Sequence, residues 1–166
     1  MWIDNMSYNK KNALETERKK IEKEKKNYKN HPRAFVIEAL KIVQRYRGWV
    51  SDESLEQIAE IIGISPTEVE EVATFYSQIF RRPVGRHVIR YCDSSICYIN
   101  GYKKIVSYIE EHLQITKGQT TANGRFTLLP ICCLGNCDRS PTMMINNDTY
   151  GPVSTDVLDI ILEQYP

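Results

Sequence analysis

The sequence lacks the short motifs that commonly mark nucleotide binding or nucleophilic catalysis. It contains no G-x-G-x-x-G and no G-x-x-x-x-G-K-[ST], so nucleotide or flavin binding has no local support. No Ser/His/Asp or Cys/His arrangement indicates a nucleophile. The three histidines have no ligand spacing relative to the cysteines and are interpreted as structural: His31, His87 and His112. No catalytic residue is therefore predicted.

An excess of charge of one sign and a long apolar run are also missing. The 22 basic and 21 acidic residues leave a net charge of +1, which gives no global field to attract nucleic acid or a membrane. No apolar run approaches the roughly 18 residues of a membrane span, so direct membrane insertion is not expected. The N-terminal residues show no apolar core flanked by a cleavage site, so secretion is not expected, and an odd number of clustered cysteines is typical of a reducing compartment. A cytoplasmic location is predicted.

All five cysteines lie in two short segments about forty residues apart. Cys92 and Cys97 form a C-x4-C pair, and Cys137 forms C-x3-C with Cys133 or C-x4-C with Cys132. Each segment follows a strand-like apolar run. Both cysteine segments are therefore expected to begin at the end of a strand, where the backbone is rigid. Four thiolates suit a [2Fe–2S] cluster or a structural zinc ion, and spacing alone leaves both open. Dithiol exchange is a third reading, although the C-x-x-C spacing of such enzymes is absent.

The first half of the chain is predicted to be helical. Residues 1–9 are expected to be a tail that is disordered or ordered by a partner. A charged helix over 10–29 carries a thin apolar stripe, and it is either mostly solvated or a docking helix. Further helices are predicted over 33–47, from Ser51 to residue 62, and from Ser65, which forms a capping box with Glu68. Tyr46 and Tyr76 are assigned to buried faces, and 10–85 is interpreted as a helical bundle.

The second half is predicted to be mixed. Strands are expected over 87–91 and 126–131, with one helix over 99–113 between them. A hairpin follows, with strands over 142–146 and 150–153 around a turn at 147–149, and Thr155 begins a last helix. Residues 86–166 are therefore predicted to form a second domain, and the predicted fold class is α+β.

Several motifs carry a family resemblance. Cys92-x4-Cys97, Cys133-Leu-Gly-Asn-Cys137, Glu71-Val-Ala-Thr-Phe-Tyr76 and Asn123-Gly-Arg-Phe126 resemble the thioredoxin-like [2Fe–2S] ferredoxin family, and within it the E subunits of bacterial NADH–quinone oxidoreductase, respiratory complex I. The likeness runs from about residue 32 to the C-terminus. It implies a thioredoxin-like domain after the bundle and one [2Fe–2S] cluster.

The resemblance also implies a ligand set and a function. The ligands are Cys92, Cys97, Cys133 and Cys137, because the family ligand immediately precedes Leu-Gly, and Cys132 is then a spare thiol. The implied function is single-electron exchange with the FMN of a partner flavin- and NADH-binding subunit, beside other peripheral-arm subunits, on the cytoplasmic side of the inner membrane. Alternatives are the ferredoxin subunit of an NAD-linked hydrogenase or formate dehydrogenase, and a four-cysteine zinc module. Candidate partner contacts are the helix over 10–29 and the rim around Cys97 and Cys137.

Overall fold

A computed structural model describes residues 16–28 and 31–166 of the chain. It divides into two compact units, the first ending at Pro83 and the second spanning Val84–Pro166. The tail predicted over 1–9 lies outside the described residues, as do the ends of the helix predicted over 10–29. Each unit is described by itself.

The first unit is helical in its described part, and its helix starts follow local sequence signals. Ser51 accepts a hydrogen bond from the backbone of Ser54 at 3.2 Å, and Ser65 and Glu68 form the reciprocal capping box, so both predicted starts are confirmed. The helices are α1 (residues 16–25), α2 (Val36–Arg47), α3 (Asp52–Ile62) and α4 (Pro66–Phe75). Short 3-10 turns occupy Lys26–Tyr28 and Pro32–Phe35.

Helix α1 belongs to the core of this unit. Ile21 is buried with α2 and α3, and the buried Glu17 carboxylate accepts two hydrogen bonds from Arg47, at 2.7 and 2.8 Å. A bidentate pair of this kind offsets the cost of burying the carboxylate. Tyr46 and Tyr76 are exposed, so the prediction that they are buried was wrong. Tyr76 follows the last residue of α4 with an extended backbone, and its side chain therefore leaves the helical face.

The second unit is a four-stranded sheet with helices whose apolar side chains share one core with it. The strand order is β2-β1-β3-β4, with β1 and β2 parallel and the other two pairings antiparallel. Its elements are β1 (His87–Cys92), α5 (Ser95–Ile99), α6 (Tyr102–Leu113), β2 (Phe126–Ile131), β3 (Met143–Ile145), β4 (Asp148–Tyr150) and α7 (Thr155–Glu163). The predicted α+β class is confirmed.

Two local predictions in the second unit were wrong. The single helix over 99–113 is two helices, because Gly101 takes a left-handed backbone (φ +86°) between α5 and α6. The hairpin turns at Asn146 and Asn147 rather than at 147–149, since Ile145 already pairs with Asp148. Asn146 adopts φ +53°, which asparagine tolerates better than most residues.

No helix within residues 16–28 and 31–166 combines the length and the apolar character needed to cross a bilayer.

Candidate metal centre

Both cysteine loops leave the same edge of the sheet. Strands β1 and β2 are parallel neighbours, and their final residues, Cys92 and Ile131, are paired in register. The backbone N–H of Asp93 donates to the carbonyl oxygen of Ile131 at 3.1 Å and joins the two loops as they emerge. Since the carboxyl ends of parallel strands meet at one edge, residues about forty positions apart lie together.

The first cysteine pair is buried. Cys92 and Cys97 are 3% and 2% exposed, and Cys97 occupies the inward position of the short helix α5. Burial raises the pKa of the Cys97 thiol, and the adjacent Cys92 thiol adds to that rise. The backbone of Thr142 works in the opposite direction, because its N–H hydrogen-bonds to the Cys97 sulfur and favours the thiolate.

The second pair is exposed. Cys133 and Cys137 both reach the surface, and the backbone N–H of Gly135 between them donates to Cys133 Sγ at 3.3 Å. Gly135 has φ +74°, a conformation that lets the loop turn its amide toward the sulfur. The pKa of the Cys137 thiol is raised, first by desolvation and then by the neighbouring Cys133 and Cys92 thiols. The two pairs therefore adjoin each other.

Cys132 is placed differently from Cys133. Its side chain is exposed, and its contribution to the centre is a carbonyl oxygen that lies 3.8 Å from Cys92 Sγ. The thiols that act on Cys137 are those of Cys133 and Cys92. The structure thus brings together the four cysteines expected from the family pattern: Cys92, Cys97, Cys133 and Cys137.

Thr142 joins the two loops, and sequence reasoning missed it. Its carbonyl oxygen accepts a hydrogen bond from the backbone N–H of Cys92 at 3.1 Å, while its N–H faces Cys97. Its buried hydroxyl lies 3.1 Å from the carbonyl oxygen of Asn136 and 2.9 Å from that of Arg139. A threonine after a proline gives no sequence signal of this role, because its backbone contacts are made to Cys92 and Cys97 in the other cysteine segment.

Two more contacts hold the second loop. The side chain of Asn100, just after α5, donates to the hydroxyl of Ser140. Gly151 packs so closely that a Cβ there would overlap the carbonyl oxygen of Arg139 and lie 2.9 Å from the Thr142 hydroxyl. The cysteine loops are therefore contacted by residues outside them, namely Asn100, Thr142 and Gly151, which support the positions of the loops.

Replacing Thr142 with valine is expected to destabilise the second unit while keeping the side-chain volume. Valine takes the hydroxyl donor away from the carbonyl oxygen of Arg139, whereas the carbonyl oxygen of Asn136 still accepts from the backbone N–H of Arg139. Loss of the donor to a buried carbonyl group costs about 1–3 kcal/mol. The melting temperature, followed by circular dichroism, should fall by about 4 °C or more. Thr142→Ser keeps the hydroxyl and should melt closer to the native protein. Equal melting temperatures for the valine variant and the native protein would contradict this role.

The donor set fits a binuclear iron–sulfur cluster. It consists of thiols alone, and soft thiolate ligands favour iron–sulfur clusters or zinc over harder metals. Within residues 16–28 and 31–166, which include every cysteine, no three Cys, His, Asp or Glu side chains converge as the site of one ion. Two adjoining pairs suit a cluster in which each of two irons takes two cysteines, and N–H groups already face two of the sulfurs.

Comparisons with known proteins point to a [2Fe–2S] protein family. The family model described as thioredoxin-like [2Fe-2S] ferredoxin matches residues 21–166. The E subunit of NADH-quinone oxidoreductase from Pseudomonas aeruginosa is 58% identical over 151 residues, covering 91% of this chain and 90% of that protein. Its counterpart of the same name from Escherichia coli is 58% identical over 149 residues, covering 90% and 89% of the two chains.

A solved structure shares the fold at low sequence identity. An NAD+-reducing [NiFe]-hydrogenase in its H2-reduced state superposes with a TM-score of 0.67 at 22% identity. The match covers 76% of this chain and 22% of that much longer chain. The resemblance inferred from the cysteine motifs is confirmed by the family match and by the two relatives. The chain belongs to the thioredoxin-like [2Fe–2S] ferredoxin family and, within it, to the E subunits of NADH–quinone oxidoreductase.

Proposed function

We propose that this chain is the electron-transfer subunit of an NADH–quinone oxidoreductase and holds one [2Fe–2S] cluster through Cys92, Cys97, Cys133 and Cys137. The observation that carries the proposal is the meeting of two thiol pairs at the ends of the adjacent parallel strands β1 and β2. All four cysteines lie in the ferredoxin domain proposed over 86–166, and the helical bundle proposed over 10–85 contributes none.

The buried and the exposed cysteines would hold opposite sides of the cluster. The buried Cys92 and Cys97 keep one side of the centre away from water, and the exposed Cys133 and Cys137 bring the other side to the surface. Backbone N–H groups of Gly135 and Thr142 stabilise thiolate sulfur by hydrogen bonding. The cluster, when bound, supplies one-electron chemistry, which links two-electron hydride donors to one-electron acceptors.

The proposed electron donor is a flavin- and NADH-binding subunit of the same assembly. Two observations support it: the relatives are named as subunits of an NADH-quinone oxidoreductase, and the present sequence has no nucleotide-binding motif of its own. The FMN therefore belongs to the partner, and further peripheral-arm subunits complete the assembly. We place the chain on the cytoplasmic side of the inner membrane, attached through the complex.

Metal and sulfide analysis tests the cofactor and the competing zinc module together. Protein purified without oxygen should contain about two irons and two acid-labile sulfides per chain. After reduction it should give the electron paramagnetic resonance signal of a binuclear cluster. Stoichiometric zinc without iron or sulfide would reject the electron-transfer function and favour the structural zinc module.

A further inference from the structure

Asp138 carries a negative charge directly beside a cysteine of the metal centre. It follows Cys137 in the chain and lies within the short 3-10 turn Cys137–Arg139. Both Asp138 and Cys137 are exposed. Consecutive Cα atoms are about 3.8 Å apart, so the carboxylate lies within roughly 10 Å of the Cys137 sulfur. That separation is short enough for a direct electrostatic effect on the centre.

The turn that carries Asp138 is held by hydrogen bonds. The backbone N–H of Arg139 donates to the carbonyl oxygen of Asn136 at 3.1 Å. The carbonyl oxygen of Arg139 lies 2.9 Å from the buried hydroxyl of Thr142. Both contacts fix the backbone on the far side of Asp138 from Cys137, so an ordered turn presents the carboxylate.

The charge of Asp138 is not paired with a cation. None of the ion pairs within residues 16–28 and 31–166 includes Asp138. Its effect reaches the adjacent sulfur. The pKa of the Cys137 thiol is raised first by desolvation, then by the Cys133 and Cys92 thiols, and the Asp138 carboxylate adds to that rise. An anion in this position disfavours further negative charge on the centre.

We propose that the Asp138 carboxylate lowers the reduction potential of the cluster. This inference rests on the proposed function. Reduction adds one electron, and the potential of an iron–sulfur cluster depends on the net charge and the solvent exposure of its surroundings. A carboxylate beside an exposed ligand raises the free energy of the reduced form. At a separation of about 10 Å and an effective dielectric constant between about 20 and 80, one charge changes the ratio of reduced to oxidised cluster by about two- to sixteenfold.

The test compares Asp138→Asn with Glu111→Gln in the full chain, because each variant removes one carboxylate charge. Glu111 is exposed near the end of α6, about 14 Å along the helix from Tyr102 at its start. Potentiometric titrations at low ionic strength are followed by electron paramagnetic resonance. At a fixed potential, Asp138→Asn should raise the ratio of reduced to oxidised cluster at least twofold, or about 18 mV for one electron. Iron and sulfide content should stay unchanged, and Glu111→Gln should titrate like the native protein.

Two further measurements separate the charge of Asp138 from its shape. Asp138→Glu keeps the carboxylate and should titrate close to the native protein. In 1 M salt the Debye length falls to about 3 Å, so the difference between Asp138→Asn and the native protein should shrink. A difference that stays the same in 1 M salt would contradict a charge effect at this exposed position.

Other outcomes also overturn the proposal. These are a native potential in Asp138→Asn at low ionic strength, an equal shift in Glu111→Gln, and the same shift in Asp138→Glu. If Asp138→Asn loses the cluster, Arg139→Gln provides the test, because removal of the neighbouring positive charge must lower the ratio of reduced to oxidised cluster. An unchanged or higher ratio in Arg139→Gln would then reject the proposal. Failure of the proposed function is distinguishable, since the native protein would then lack iron and sulfide.

Discussion

Replacing Cys133 with serine should remove most of the iron and sulfide, whereas replacing Cys132 should leave the cluster almost unchanged. The two cysteines are neighbours in sequence, but only Cys133 places its sulfur beside Cys137, and Cys133 Sγ already accepts a hydrogen bond from Gly135. Cys132 approaches the centre with its carbonyl oxygen. Substituting its side chain therefore leaves that contact in place.

The measurement compares two variants that differ by one position and share the same chemical change. Iron, sulfide and the electron paramagnetic resonance spectrum are recorded for Cys132→Ser and Cys133→Ser purified side by side without oxygen. A serine hydroxyl is a far weaker ligand for iron than a thiolate, so loss is expected at the ligand position alone. The reverse pattern would mean that the second loop uses a C-x4-C pair and that Cys132 is the ligand.

How far the sequence predicts this structure depends on the range of the interactions. Helix starts at Ser51 and Ser65 were predictable, because a cap and its partner lie within three residues of each other. The break between α5 and α6 was missed although Asn100-Gly101 is a recognised turn signal. The mistaken assumption was that the apolar pattern of α6 extends back through Ile99.

For the candidate site, too, the sequence predicts what depends on local patterns and misses what depends on tertiary contacts. The cysteine spacing indicated four thiolates, and the family pattern selected Cys133, but spacing could not say which pair is buried. That property depends on α5 turning Cys97 inward and on the parallel pairing of β1 with β2. Thr142 accepts a hydrogen bond from Cys92, which is far away in sequence, and Gly151 acts through close packing against the carbonyl oxygen of Arg139. Single-residue patterns do not encode such contacts.

Gly151 gives the second large effect, because a methyl group there has no room. An alanine Cβ would overlap the carbonyl oxygen of Arg139 and lie 3.0 Å from the side-chain nitrogen of Asn136 and 2.9 Å from the hydroxyl of Thr142. These groups belong to the segment that surrounds Cys137. Relief of the overlap requires a backbone shift, since the nearest atom is main chain, and such overpacking typically costs about 1–3 kcal/mol.

We therefore expect Gly151→Ala to lower cluster content severalfold and to reduce the melting temperature of the protein. Gly118→Ala is the matched control: Gly118 has φ +84°, so alanine is strained there, but its Cβ would meet nothing within 4 Å. The control should lose stability without losing iron, because an alanine with a left-handed backbone costs roughly 1 kcal/mol and leaves the cysteine loops in place.

Equal iron and sulfide in Gly151→Ala and the native protein would show that the loop around Cys137 tolerates the backbone shift. Iron loss in both variants would instead tie cluster content to overall stability. Loss of iron in Gly151→Ala alone, which is the expected result, ties cluster content to the position of the loop around Cys137.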